Sequence, residues 1–210
     1  METILIADHQ QIVRRGLRVL IESLPSKYHV FEASTCAEAK QMLLTLDIQY
    51  IISDMFLADG SILSAIHQLM NNRKKTTVLI YSMIDEKIYA RRLVQKGVRG
   101  FVSKDAPLSE LENALRCFLN GDIYLSQRMQ EYLLMPPIAD SLVNPIDSLS
   151  DRELEVVEYV ITGMELKEIA EILKRDITTV STYRRRAYQK LGVHNIIELK
   201  DKYLLYKMQG

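Results

Sequence analysis

Thr3-Ile4-Leu5-Ile6-Ala7-Asp8 opens the chain with an apolar run that closes on an acid. The same shape returns three times, as Tyr50-Ile51-Ile52-Ser53-Asp54, Thr77-Val78-Leu79-Ile80-Tyr81-Ser82 and Gly100-Phe101-Val102-Ser103-Lys104. These runs do not alternate apolar with polar residues, which is the pattern of strands buried on both faces. Tyr28 to Ala33 supplies a further strand. Helical patterns separate them. Gln11 to Ser23 repeats Ile12, Gly16, Val19, Leu20 and Ser23, and Pro25 stops it. Cys36 to Leu46 predicts a second helix. Ser61 to Met70, after the turn at Asp59-Gly60, predicts a third. Asp85 is placed to cap a fourth that stops at Gly97, and Leu108, Leu111, Leu115, Phe118 and Leu119 form the stripe of a fifth that Gly121 closes. Five strand-then-helix units imply a parallel sheet with helices on both faces, because each crossover lays its helix against the sheet. This α/β domain spans residues 1–121.

Residues 122–147 change character. Pro136, Pro137 and Pro145 fall within ten positions, with no sustained period after Leu134. The stretch reads as a semi-stiff linker, begun by a short helix over Gln127 to Leu134. From residue 148 to 210 the pattern is helical throughout. Ser150-Asp151-Arg152-Glu153 is a capping box, in which a hydroxyl and a carboxylate three residues apart satisfy each other's free backbone donors. Its helix ends at Gly163. Leu166 to Lys174, a helix that Asp176 is placed to cap and that runs through Leu191, and a last helix capped by Asn195 complete a smaller all-α domain.

The 210-residue chain has 48% hydrophobic and 26% charged residues, a globular composition. Its 27 basic and 27 acidic side chains cancel, which excludes a generally sticky polycation. One basic segment stands out: Lys174, Arg175, Arg184, Arg185, Arg186 and Lys190 are offset only by Asp176. No apolar run approaches the about 18 residues needed to cross a membrane, and the N-terminus lacks a signal pattern, so a cytoplasmic protein is expected. Cys36 and Cys117 are expected to be reduced thiols packed on helix faces, with no metal-ligand spacing.

Open parallel sheets bind ligands at the carboxyl ends of their strands. Those ends carry Asp8 and His9, Asp54, Ser82 and Lys104. An aspartate that closes a strand is usually a turn former, but this set in register suits reversible phosphorylation of a carboxylate. Asp54 would be the nucleophile. Asp8 would hold Mg2+, Lys104 would pair with a phosphoryl oxygen, and the Ser82 hydroxyl would donate to another.

On these residues the chain resembles a known family. Ile4-Leu5-Ile6-Ala7-Asp8, Asp54, Leu79-Ile80-Tyr81-Ser82 and Gly97-Val98-Arg99-Gly100-Phe101-Val102-Ser103-Lys104 resemble a response-regulator receiver domain. Leu149-Ser150-Asp151-Arg152-Glu153, Lys167-Glu168-Ile169-Ala170, Thr179-Val180-Ser181-Thr182-Tyr183 and Lys190-Leu191-Gly192-Val193 resemble a LuxR-type helix-turn-helix. Together they are similar to the NarL/FixJ family of two-component response regulators. The resemblance implies a flavodoxin-like (βα)5 receiver followed by a smaller helix-turn-helix domain. It implies Asp54 as phosphoacceptor, Asp8 in the acidic pocket, Ser82 and Lys104 as phosphoryl ligands, and Phe101 as a switch aromatic. Its cofactor would be Mg2+, held by Asp8, Asp54 and the Phe56 backbone carbonyl. Its partners would be a sensor histidine kinase and double-stranded promoter DNA, bound as a homodimer through the last helix (Ile196, Ile197, Leu199, Tyr203, Leu204, Met208).

Three positions depart from the family pattern. His9 stands where a second acid normally touches the metal, which leaves Mg2+ affinity open. Ala58 replaces a usual proline, and a looser loop is expected. Phe56 is bulky and is expected to shield an acyl phosphate from water. His9 also motivates the alternative, a receiver that works without phosphorylation. A hydrolase on the same fold would need a Gly-rich phosphate loop or a nucleophile elbow, and neither is found. An adaptor whose helical domain ignores DNA is the remaining class.

Along Asp176 to Leu191, Val180, Ala187 and Leu191 recur on one side and are expected to face the core. Ser181, Thr182, Arg185 and Gln189 project elsewhere, as a major-groove helix requires. Arg185 suits bidentate contact with guanine. Thr178, Thr179, Tyr183, Arg184, Arg186 and Lys190 suit phosphates, which position a helix without reading sequence.

Overall fold

A computed structural model of the chain describes residues 2–62, 76–134 and 145–208. Two compact units emerge, Met1–Gln130 and Glu131–Gly210. The first carries β1 (Glu2–Ala7), α1 (Gln11–Glu22), β2 (Tyr28–Ala33), α2 (Cys36–Thr45), β3 (Tyr50–Ser53), β4 (Phe56–Leu57), β5 (Gly60–Ser61), β6 (Thr77–Ser82), α3 (Glu86–Gln95), β7 (Gly100–Ser103), α4 (Leu108–Leu119) and the first half of α5 (Gln127–Leu134), which crosses the boundary. Five strands form one parallel sheet in the order β2-β1-β3-β6-β7. The order reverses direction between β1 and β3, the switch point at which such sheets open a crevice.

The strands are buried on both faces, as their unalternating sequences require. Ile4, Leu5, Ile6 and Ala7 are fully enclosed. Ile4, Ile6, Ile52, Leu79 and Val102 pack against Leu17 and Ile21 of α1 and Leu111, Leu115 and Phe118 of α4. The alternate residues Leu5, Ile51, Val78, Ile80 and Phe101 are equally buried and point to the opposite face, since the side-chain period of a strand is two. Cys36 and Cys117 are not joined in a disulfide, and Cys36 Sγ donates to Gly60 O (3.4 Å).

Ser61 does not begin a helix. It pairs with Phe56 in the antiparallel hairpin of β4 and β5, which the Asp59-Gly60 turn closes with Gly60 at φ 132°. Glycine alone adopts that conformation without strain. The rest of the expected helix to Met70 lies outside the described residues, as do Pro136 and Pro137. The loop that carries Ala58 is hydrogen-bonded to the start of α2. Asp59 accepts hydrogen bonds from Cys36 N (2.5 Å) and Ala37 N (3.1 Å) at the start of α2, and Ala58 N donates to Ser34 O (3.3 Å).

The first unit extends past residue 121, into the segment read as linker. Tyr124 lies beside β7, with Tyr124 N donating to Arg99 O (2.9 Å) and Phe101 N donating to Tyr124 O (3.2 Å). Ser126 Oγ donates to Glu86 Oε2 (2.6 Å), and Met129 is buried. Proline spacing located the change of character but not these contacts, because backbone pairing at a sheet edge leaves no periodic signature.

The second unit comprises a 3-10 turn (Pro145–Ser148), α6 (Asp151–Ile161), α7 (Leu166–Leu173), α8 (Ile177–Leu191) and α9 (Ile196–Met208). Its core gathers Leu154, Val157, Ile169, Leu173, Val180, Ala187, Leu191 and Leu199. The Ser150–Glu153 capping box forms in both directions, at 3.3 and 2.8 Å. A second such box, Glu165–Glu168, opens α7 with glutamate in the place that serine usually takes.

Truncating Phe118, which is buried and meets the Tyr50 ring edge-on at 5.5 Å, removes both core volume and an aromatic contact. Phe118→Ala is expected to lower stability by about 3–5 kcal/mol in equilibrium urea unfolding of the full chain.

Candidate functional site

The sheet itself builds the first site. Each ladder continues one residue beyond its strand: Asp8 N donates to Ala33 O (3.0 Å), Asp54 N to Ala7 O (2.8 Å) and Lys104 N to Ser82 O (2.9 Å). Three side chains on three different strands are thereby fixed at one edge. Asp8 is 1% and Asp54 7% exposed. Lys104 Nζ bridges them, at 2.7 Å from Asp8 Oδ2 and 2.6 Å from Asp54 Oδ2. The other Asp54 oxygen, Oδ1, accepts hydrogen bonds from Ser82 Oγ (2.5 Å) and Met55 N (2.6 Å). Asp8 Oδ1 accepts from Gln10 N (2.8 Å), and Arg14 Nη1 donates to Asp8 O (2.7 Å), tying α1 to the loop. Burial alone pulls the Lys104 ammonium toward deprotonation. Its hydrogen bonds to Asp54 and Asp8 outweigh that and hold its pKa above the ordinary lysine value.

Asp8, Asp54, Ser82 and Lys104 are thus brought together. Phe101 lies in β7, fully buried, three residues before Lys104. Phe56 is half-buried in β4, two residues beyond Asp54. His9 Nδ1 stands 3.8 Å from Asp8 Oδ1 and 3.9 Å from Asp54 Oδ2, with its side chain 45% exposed. Donor atoms of Asp8, His9 and Asp54 lie within 4.8 Å of one another. Asp8 Oδ2 is buried, and the Lys104 ammonium at 2.7 Å is its partner. Two aspartate side chains converging at the crevice fit a divalent cation.

The second site is α8. Val180, Ala187 and Leu191 are buried, while Thr178, Arg185, Arg186, Gln189 and Lys190 are exposed. Thr179, Ser181, Thr182, Tyr183 and Arg184 are half-buried. Ser181, Arg184, Arg185 and Gln189 line one groove of about 770 Å³. Tyr188 and His194 line it too. Sequence reasoning passed over both, although Tyr188 falls four residues after Arg184 and so one turn along the same face. The Arg184 guanidinium lies 5.8 Å from the centre of the Tyr188 ring, close enough for a cation–π contact.

One local expectation is corrected, and two side chains of α8 are engaged within the unit. Asp176 occupies the N-cap of α8, but its side chain makes no capping bond; its backbone carbonyl accepts from Thr179 N (3.0 Å) and Val180 N (3.2 Å). The Thr182 hydroxyl donates to Thr178 O (2.9 Å), so its proton is used within the helix. Lys190 is committed inside the unit, donating to Ser148 O (3.0 Å) and Glu153 Oε2 (2.7 Å). It fastens the end of α8 to the cap of α6.

Residues 4–116 match the family model of the response regulator receiver domain, and residues 147–202 match that of bacterial regulatory proteins of the LuxR family. The chain belongs to the NarL/FixJ family of response regulators. The Fimbriae Z protein of Escherichia coli K12 is 30% identical, with 98% of each chain covered. Response regulator UvrY of Escherichia coli K12 is 26% identical, over 95% of this chain and 92% of its own. The fold matches RcsB of Salmonella typhimurium with a TM-score of 0.72, at 24% identity and 98% coverage of both chains. Receiver domains bind Mg2+ at an acidic pocket, and Asp8 and Asp54 form that pocket here. Among the described residues no helix is long and apolar enough to cross a membrane.

The Lys190–Glu153 contact carries a pH dependence. Burial raises the Glu153 pKa, but hydrogen bonds from Lys190 and Ser150 prevail and hold it below the ordinary carboxylate value. A carboxylate with a depressed native pKa contributes fully above its unfolded value and loses that contribution as pH falls through the native one. Thermal melts of the full chain should therefore show the second unit weakening as pH drops below about 4.5, with a flatter profile in Glu153→Gln. Lys190→Ala leaves a buried acceptor short of a partner and should lower stability by about 1–3 kcal/mol at neutral pH, while the salt dependence of DNA binding stays unchanged.

Proposed function

We propose that Asp54 is the phosphoacceptor of a DNA-binding transcriptional regulator, switched by a sensor histidine kinase. The single observation that carries this is the Asp54 carboxylate. It is nearly enclosed, yet one oxygen is bridged by Lys104 and the other is held by the Ser82 hydroxyl and the Met55 amide. The carboxylate is oriented, with a cation and two donors already aimed at its oxygens. Attack on the phosphorus of a kinase phosphohistidine forms an O–P bond and breaks the N–P bond, and the imidazole leaves with its electron pair. Asp8 and Asp54 would hold a divalent cation that offsets the charge of the phosphoryl oxygens. Lys104 and Ser82 then transfer their contacts to that group. The half-buried Phe56 ring shields the product from water, lengthening its life.

Phe101 lies in β7 and Lys104 directly follows that strand, and the Phe101 amide is bonded to Tyr124. A change at Lys104 therefore reaches the start of the interdomain segment through one short strand. A coupling of about 1–3 kcal/mol is typical of such switches. The role of α8 is DNA recognition, with Ser181, Thr182, Arg185 and Gln189 toward bases and Thr178, Thr179, Tyr183, Arg184 and Arg186 toward phosphates. The RcsB chain solved as a DNA complex has the same fold, with a TM-score of 0.57. RcsB is also known as dimers on DNA. On α9, Ile197 and Leu204 are 68% and 54% exposed, an apolar surface suited to a second copy. We read the protein as a cytoplasmic regulator rather than an enzyme with its own substrate.

Intact-mass spectrometry after acetyl phosphate treatment should find one phosphoryl adduct on the wild type and none on Asp54→Asn. An adduct of equal yield on the variant rejects Asp54 as the acceptor and favours phosphorylation-independent action. Arg185→Ala should cost about 1–3 kcal/mol of discrimination at one base position. Arg186→Ala should instead weaken binding across sequences and lower the salt slope by about one.

A further inference from the structure

The third donor at the acidic pocket is a nitrogen. His9 is the one residue of the Asp8–His9–Asp54 group that is exposed, and its Nδ1 stands 3.8 and 3.9 Å from oxygens of the two aspartates. A cation bound at about 2.1 Å from each donor draws neighbouring donors to about 3 Å of one another. The gap to close is under 1 Å, and a surface imidazole closes it by rotating. Asp8 Oδ2, buried and held at 2.7 Å by the Lys104 ammonium, is an oxygen that a bound cation would share with that lysine.

Replacing a carboxylate by an imidazole changes two things. It removes a negative charge, which weakens binding of every divalent cation. It also supplies a borderline nitrogen donor, which Mg2+ uses poorly because it is hard, keeps its waters and prefers oxygen. Affinity of nitrogen-containing sites rises from Mn2+ toward Zn2+. We propose that Asp8, His9 and Asp54 form a mixed oxygen–nitrogen site that selects a borderline first-row divalent cation over Mg2+. This deepens the phosphoacceptor reading and rests on it for location only. His9 sets which ion occupies the pocket.

Mn2+ is the probe. Its free-ion electron paramagnetic resonance signal disappears on binding, and Zn2+ or Mg2+ displaces it in proportion to affinity. The full-length wild type should yield Mn2+ to Zn2+ readily and to Mg2+ poorly. His9→Asp, a change at an exposed position, should strengthen Mg2+ and reduce the Zn2+-to-Mg2+ affinity ratio at least tenfold. Pulsed measurements on bound Mn2+ should show nitrogen modulation in the wild type and none in His9→Asp or His9→Ala. A ratio that His9→Asp leaves unchanged, or nitrogen modulation that survives both substitutions, overturns the proposal. Binding that persists in Asp8→Asn and Asp54→Asn overturns it as well, because the ion then sits elsewhere. No phosphoryl donor enters the assay, so its failure is distinct from loss of the phosphoryl adduct at Asp54.

Discussion

Two carboxylates closing β1 and β3 converge on one ammonium. At about 4 Å and an effective dielectric near 20, a pair of like charges repels by about 4 kcal/mol. Lys104 sits within 2.7 Å of both and converts that repulsion into a bridge. The bridge spans three strands, because Asp8, Asp54 and Lys104 each extend a different ladder by one hydrogen bond. Everything proposed for the first unit follows from it. The lysine fixes the aspartate in place and offsets its charge. A new phosphoryl charge must be answered by the same lysine, and the lysine is carried on the strand that holds Tyr124.

The second unit uses charge differently. Its basic segment is not one uniform surface. Lys190 is spent internally on Glu153 and Ser148, and Arg184 lies over Tyr188. That leaves Arg185 and Arg186 as the freely exposed arginines of α8. A helix that must enter a groove needs a rigid seat, and the Lys190 contact to the cap of α6 supplies part of it.

Much of this was legible in the residues, for identifiable reasons. Unalternating apolar runs such as Ile4-Leu5-Ile6-Ala7 announce a sheet covered on both faces, and the polar residue ending each run is then forced to the crevice. The Ser150–Glu153 capping box and the Val180-Ala187-Leu191 spacing are local signals, and both appear as expected. What the sequence hid is non-local. The β4–β5 hairpin depends on Asp59 reaching the start of α2, twenty-two and twenty-three residues away in sequence. The edge pairing of Tyr124 with β7 uses backbone groups that every residue carries. Lys190 reads as one more cation of a basic run until the fold sets Glu153 beside it. Asp176 reads as a cap because its position is right, yet only side-chain geometry decides whether the oxygen turns toward the helix.

The most direct test follows the Lys104 bridge outward. Hydrogen exchange of the Phe101 and Tyr124 amides should be compared with and without acetyl phosphate, in the wild type and in Lys104→Met. The account predicts that stoichiometric phosphorylation alters the protection of both amides in the wild type and of neither in the variant. Unchanged protection in the phosphorylated wild type, or the same change in both proteins, would contradict it.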